Sequence, residues 1–171
     1  MQSLVVSDAN IFIDLWKLDM LDMLDIFFQL PLKIHTTDFI INELTKDGIK
    51  SRVLYFADHK KLIIKESNSE EIESIRDFNS RQKGLSFPDC SVLFLAQKMN
   101  CRLLTGDSRL KSVAKKEGIA VRGLLHVFDL LVEKHAILPP KKAVPYLKSL
   151  TSSNARLPLE EIKSRIKKWQ V

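Results

Sequence analysis

Apolar and polar positions along the chain fall into two alternating patterns: short runs that are apolar on both faces, and longer stretches whose apolar residues recur at helical spacing. Ser3 to Ser7 (SLVVS) is the first short run, and Asp8-Ala9-Asn10 ends it before Ile11, Phe12 and Leu15 begin a helix. From Asp19 to Asp25 acids recur every third residue between Leu and Met, a ragged polar face that reads as solvated. Lys33 to Thr36 is a second strand. TTDFIINELTKD follows it as a helix with Phe39, Ile40 and Leu44 inward. Leu62 to Ile64 is a third strand, and Ser69 to Gln82 a polar helix that turns Ile72, Ile75 and Phe78 inward. Ser86 reads as an N-cap with Pro88 in the first turn, opening an apolar helix through Val92, Leu93, Leu95, Ala96 and Met99.

The run CRLLTGDSRL starts as a strand and breaks at Gly106. Asp107 then opens a helix with Leu110, Val113 and Ala114 on one face. Gly118 stops that helix, Ile119-Ala120-Val121 is a fifth strand, and Leu124 to His135 is an amphipathic helix. Two proline-started helices close the chain, from Pro139 or Pro140 to Leu150 and from Pro158 to Trp169. The second carries Leu159, Ile162, Ile166 and Trp169 as its stripe. Strand and helix thus alternate five times, which predicts an α/β fold: three layers, a mostly parallel five-stranded sheet flanked by helices, with extra C-terminal helices.

Composition narrows the function classes. The 171 residues are 45% hydrophobic and 28% charged, enough for one sizeable core, with no linker biased enough to separate two domains. A net charge of +6 favours polyanionic or acidic partners. Cys90 and Cys101 form neither a C-x-x-C pair nor a zinc spacing, and no secretory or membrane-length apolar run occurs, so a soluble, reducing, cytoplasmic setting is expected. The four histidines are scattered without ligand spacing. There is no glycine-rich phosphate loop, and Asp8-Ala9-Asn10 lacks the second Asp of a phosphoaspartate hydrolase.

Four acids remain to be explained together. Asp8 and Asp107 sit at the C-terminal ends of strands, where open α/β sheets gather ligands, and Asp89 lies in the first turn of a helix. Glu43 shares a stripe with Phe39 and Ile40, which places it close to the core. Singly, each has a local role: Asp8 and Asp107 as N-caps, Asp89 as the last member of a capping box, and Glu43 in a salt bridge with Lys46 or Lys50. As a cluster they would repel one another without a cation, whereas Mg²⁺ or Mn²⁺, which prefer oxygen ligands, would make the set favourable. Such an ion would polarise a phosphate oxygen and activate a water for in-line attack. Asn10 would orient a carboxylate. Lys46, Lys50, Arg52, Arg109, Lys111, Lys115 and Arg122 are candidates for guiding a polyanion.

VVSDANIFIDL, the helix carrying Glu43, LSFPDCSVLFLAQ and LLTGDSRLKSVAKKEGI together resemble the PIN-domain nucleases, most closely the VapC-type toxins of prokaryotic toxin-antitoxin pairs. The similarity runs from Val5 to about Leu131. It implies a PIN-like nuclease domain over residues 1–135 and a helical extension over 136–171, packed on the same domain or on a dimer partner. It also implies a metal-dependent ribonuclease in which Asp8, Glu43, Asp89 and Asp107 form the acidic metal site, with Asn10 and Thr105 as polar supports. RNA would be the substrate, an antitoxin the protein partner, and the homodimer a frequent assembly. A housekeeping RNA-processing nuclease and a non-catalytic PIN-like binding module stand as alternatives.

Overall fold

The computed structural model describes residues 3–19, 22–46, 48–153 and 157–170. Its sheet has five parallel strands in the order β3-β2-β1-β4-β5: β1 (Ser3–Ser7), β2 (Leu32–Thr37), β3 (Leu62–Lys65), β4 (Arg102–Leu104) and β5 (Val121–Arg122). The chain builds outward from β1 to β3, then crosses back to β4 and builds the other way. β1 and β4 therefore flank the point where the winding reverses, the crevice in which open α/β sheets hold ligands. Pairing is in register to the strand ends, Ser7 opposite Leu104 and Leu104 opposite Arg122, so the residues after each strand meet along one edge.

Right-handed crossovers put the helices joining β1 to β3 on one face and those joining β3 to β5 on the other. The first group is α1 (Ala9–Leu18), α2 (Asp22–Phe27), α3 (Asp38–Glu43) and α4 (Ile49–Asp58). Phe12, Phe27, Phe28 and Phe56 stack there edge-on and face-on at centroid distances of 4.1–6.3 Å. Each buried aromatic of this kind contributes about 1.5–3 kcal/mol from its apolar area. On the other face, α5 (Ser69–Arg81) covers α6 (Phe87–Lys98), whose buried residues Cys90, Ser91, Val92, Leu93, Leu95 and Ala96 surround it almost completely. α7 (Ser108–Lys116) joins β4 to β5.

After β5 come α8 (Leu124–Asp129), a π-helical turn (Leu130–Lys134), α9 (Pro140–Ser153) and α10 (Leu159–Trp169). α9 and α10 pack together, and α10 returns to residues 124–134. Arg165 grips Asp129 with Nε and Nη2, both at 2.7 Å, and Trp169 Nε1 donates to Glu133 at 3.0 Å.

The structure departs from the periodicity reading in several places. The predicted fifth strand shifts to Val121–Arg122, because Ile119 N donates to Ala114 O at 2.8 Å and finishes the α7 turn instead. The single helix expected over 124–135 changes to π geometry at Leu130, where an inserted residue rotates Glu133 towards Lys168 and Trp169. α4 has no counterpart in that reading, although its buried Ile49, Val53 and Phe56 recur at helical spacing. It starts at Gly48, which has φ +84° and no room for a Cβ, since one would stand 3.0 Å from Trp16. The acid-rich run is broken at Asp19 rather than continuous, with Met20 and Leu21 outside the described residues. Asp25 is not simply solvated, because Arg52 Nε donates to it at 3.0 Å. On α3 it is Ile40, Ile41 and Leu44 that are buried; Phe39 is half-buried, edge-on to Phe87 at 4.9 Å. Asp47 of the predicted helix lies outside the described residues.

Candidate active site

Among the described residues, the fully buried polar side chains are Ser7, Asp8, His35, Thr36, Thr37, Ser91 and Thr105. They belong to β1 and the residue after it, to β2, to the turn after β4 and to the second turn of α6. Buried polar groups are costly unless paired, so their concentration at one edge asks for a specific use.

Asp8 stands at its centre, 3% exposed. Its backbone N–H continues the ladder to Leu104 O at 3.0 Å, and its side chain caps α1 by accepting from Ala9 N at 2.7 Å. The other carboxylate oxygen accepts from Asn10 Nδ2 at 2.7 Å and from the Thr105 hydroxyl at 2.8 Å. Thr105 also accepts from Asn10 Nδ2 and from Asp107 N, both at 3.1 Å, so its one proton is committed to Asp8. Asn10 is oriented by the same logic, since its Oδ1 accepts from Gly106 N at 2.7 Å and its amide must face Asp8. A carboxylate offers about four acceptor positions. Three are filled here, which leaves one on Oδ1.

Burial pushes the Asp8 carboxyl up from 3.8 to about 7; Thr105 and Ala9 oppose the rise, and the charges of Asp89 and Glu43 add to it. Glu43 is likewise raised, first by loss of solvent around its carboxyl and then by Asp89. Asp8, Glu43 and Asp89 therefore lie within electrostatic reach of one another. Phe39 on α3 meets Phe87 at the start of α6, which holds the two elements carrying Glu43 and Asp89 together. Glu43 itself is exposed at the end of α3, contrary to the placement near the core expected from its stripe. α3 ends there, so its last side chain is not covered by a following turn.

Asp89 completes a capping box: Ser86 N donates to Asp89 Oδ2 at 2.8 Å, and Asp89 N to Ser86 Oγ at 3.1 Å. Asp107 caps α7, accepting from Leu110 N at 2.7 Å. Its link to the cluster runs through Thr105. The capping roles anticipated for three of the acids are all present, and they do not compete with a second role, because each bond occupies one oxygen of two.

All the acids offer oxygen ligands, burial and then neighbouring carboxylates raise two of them, and Asp8 retains a free lone pair, which together suit a hard divalent cation. As placed, no three His, Cys, Asp or Glu side chains among the described residues enclose a site for one.

Several neighbours carried no signal in the periodicity. Ser91 is buried and shares a hydrogen bond of 2.7 Å with Thr37, tying α6 to the end of β2 beside Asp89. Asp14 lies one helical turn beyond Asn10, its Oδ2 3.9 Å from where a Gly106 Cβ would stand; the i, i+4 spacing from Asn10 is the clue that marks it. A cavity of about 440 Å³ opens beyond the Thr37–Ser91 pair, between α6 and the loop after β3, and none of the four acids lines it.

No curated protein matches the chain. Among solved structures, the chain is similar to a PilT N-terminus domain protein from the archaeon Sulfolobus solfataricus, at 14% identity over 77% of this chain and 96% of that one, TM-score 0.49. It is also similar to FitAcB from Neisseria gonorrhoeae, at 15% identity over 71% of this chain and 99% of that one, TM-score 0.41. The family model described as PIN domain (DUF3368) matches residues 4–171, running through the terminal helices as well as the sheet. The chain belongs to the PIN-domain family.

Proposed function

We propose that the protein is a divalent-metal-dependent ribonuclease that hydrolyses RNA phosphodiester bonds at the β1–β4 crevice. The observation that carries this reading is the buried Asp8 carboxylate at the end of β1, fixed by Asn10 and Thr105, with Asp89 and Glu43 close enough for their charges to act on it. Asp8 and Asp89 would hold the cation directly, Glu43 directly or through water, and Asp107 from the far side of Thr105. A bound Mg²⁺ or Mn²⁺ would supply charge neutralisation and an acidified water. Asn10 and Thr105 fix the Asp8 carboxylate by hydrogen bonds to one oxygen and leave the other to face the crevice.

The test is incubation of the purified protein with single-stranded and structured RNAs in Mg²⁺, in Mn²⁺ and in chelator, beside Asp89→Asn. Cleavage that needs the metal and disappears in Asp89→Asn is expected. Cleavage by Asp89→Asn at the wild-type rate removes Asp89 from the site, and no cleavage of any RNA by the wild type leaves the binding-module alternative.

The resemblance of LSFPDCSVLFLAQ and LLTGDSRLKSVAKKEGI to VapC-type toxins extends the proposal to a toxin acting with an antitoxin, and to a homodimer. An antitoxin that inserts an Arg fork among the carboxylates would compete with the cation. Its inhibition should weaken as Mg²⁺ rises at constant ionic strength. Unimpaired growth on expression of the active chain alone, with no co-purifying partner from the adjacent reading frame, returns the role to RNA processing.

A further inference from the structure

The basic side chains singled out in the sequence fall into two groups once folded. Arg52 is held by Asp25, Arg109 Nη1 donates to Gly84 O at 3.0 Å, and Lys50 reaches Asn42 at 3.4 Å, while Lys46 is exposed on the surface. Lys111, Lys115 and Arg122 instead line one cavity of about 390 Å³ together with His126. None of these three cations forms a salt bridge among the described residues. The facing wall sets Arg165 against two acids, bidentate to Asp129 and at 3.4 Å to Glu161, so it carries one negative charge against the three positive ones and the lining stays net positive. The cavity volume falls within the ~300–1,000 Å³ usual for small-ligand pockets.

Gly123 forms part of its lining. A Cβ there would stand 3.2 Å from Lys111 Nζ and 3.7 Å from Thr105 O, so the half-buried ammonium lies close against the glycine at the end of β4. Thr105 faces both regions: its carbonyl looks towards this cavity, and its hydroxyl donates to Asp8 at 2.8 Å. Three cations without a salt bridge among the described residues, Arg122 bonded only to the Val121 carbonyl, gather beside a strand end that carries a carboxylate cluster and form an anion site next to a cation site. Phosphate groups along an RNA strand present that charge at a short repeat.

We infer that this cavity is a phosphate subsite that holds an RNA phosphate flanking the one at the carboxylates, with Lys115 and Arg122 as its exposed partners and Lys111 behind them. The inference rests on the ribonuclease reading for the identity of the polyanion. An internal phosphodiester and a 5′-terminal phosphate share the chemistry, and the experiment separates them.

The probe is a 12-nucleotide oligouridine RNA labelled with fluorescein at its 3′ end, carrying either a 5′-phosphate or a 5′-hydroxyl, followed by anisotropy in chelator over a salt series. Wild type is compared with Lys115→Gln/Arg122→Gln and with Lys141→Gln/Lys142→Gln, which removes the same charge from exposed lysines on α9. The cavity variant should bind at least about 10-fold more weakly and lose about 1.4 from the slope of log affinity on log salt, at ~0.7 per phosphate contact. The α9 variant should keep a larger share of both. Equal loss for the two RNAs assigns an internal phosphodiester, and loss confined to the phosphorylated RNA assigns a terminal one. Equal weakening by both double variants, an unchanged slope in the cavity variant, or no binding by the wild type overturns the subsite. Arg122→Gln alone substitutes if the double variant melts well below wild type. RNA that binds through the cavity but is not cleaved by the wild type in Mg²⁺ sinks the nuclease reading and leaves the subsite standing.

Discussion

The ends of β1 and β4 share a local design: each strand stops near an aspartate whose carboxylate caps the next helix, Asp8 on α1 and Asp107 on α7. Their surroundings diverge. Asp8 lies under the sheet edge with the charges of Asp89 and Glu43 acting on it, and its carboxyl is raised to about 7. Asp107 is half-exposed, and the charge that feels it is Lys111, a cation. At both places a carboxylate accepts a backbone N–H of the following helix, Ala9 N at Asp8 and Leu110 N at Asp107, so the cap does not decide the chemistry. Burial and the sign of the neighbouring charge do.

The largest expected contrast is catalytic. Asp8→Asn should lower metal-dependent RNA cleavage by roughly 100-fold or more, the scale on which losing a central electrostatic group acts, and Asp107→Asn should cost less. Equal losses in the two variants, measured by single-turnover cleavage under the same Mg²⁺, would erase the distinction between the strand ends.

Next comes the pH dependence of stability. A carboxyl whose folded pKa lies above its unfolded value binds more protons folded than unfolded between the two, so its ionisation works against the fold as pH rises. For Asp8 that window runs from 3.8 to about 7. In chelator, wild type should therefore lose on the order of 4 kcal/mol relative to Asp8→Asn between pH 4 and pH 8, by urea unfolding. A difference that stays constant with pH would show that burial and the neighbouring carboxylates do not raise Asp8.

Divalent cations sharpen the same point. At pH 8, Mg²⁺ at 100 times its dissociation constant should stabilise wild type by about 2.7 kcal/mol. The gain should disappear in Asp8→Asn and shrink less in Asp107→Ala. Thermal melts against Mg²⁺ concentration read this directly.

The smallest effects are structural. Asp107→Ala removes an N-cap and should cost about 1 kcal/mol. Thr105→Val takes a donor from Asp8 and an acceptor from Asp107 N and Asn10, for about 1–3 kcal/mol. Because the Thr105 bond lowers the Asp8 pKa, Thr105→Val should also move the pH window upward; a window left in place would remove Thr105 from the positioning of Asp8.

Much of this molecule was legible before folding. The apolar runs at Ser3–Ser7 and Arg102–Leu104, with an aspartate just beyond each, followed from period and from the turn at Gly106, because strand ends and caps are local events. Ser86 and Asp89 announced their capping box for the same reason. Glu43 was misplaced since a stripe of apolar neighbours indicates a face but not where the helix ends. α4 and the π turn at Leu130 were missed because both depend on what packs against them.

Sequence alone determined the alternation of strand and helix, the parallel sheet that alternation requires, and the positions of Asp8, Asp89 and Asp107 at element boundaries. Tertiary structure decided which acids feel one another, which cations are already paired, and that Lys111, Lys115 and Arg122 converge on a single cavity. Hydrogen-bond period and capping act over a few residues and can be read along the chain. Burial, Coulomb interaction and cavity shape depend on distances between segments far apart in sequence, which exist only after β4 has crossed back to lie beside β1.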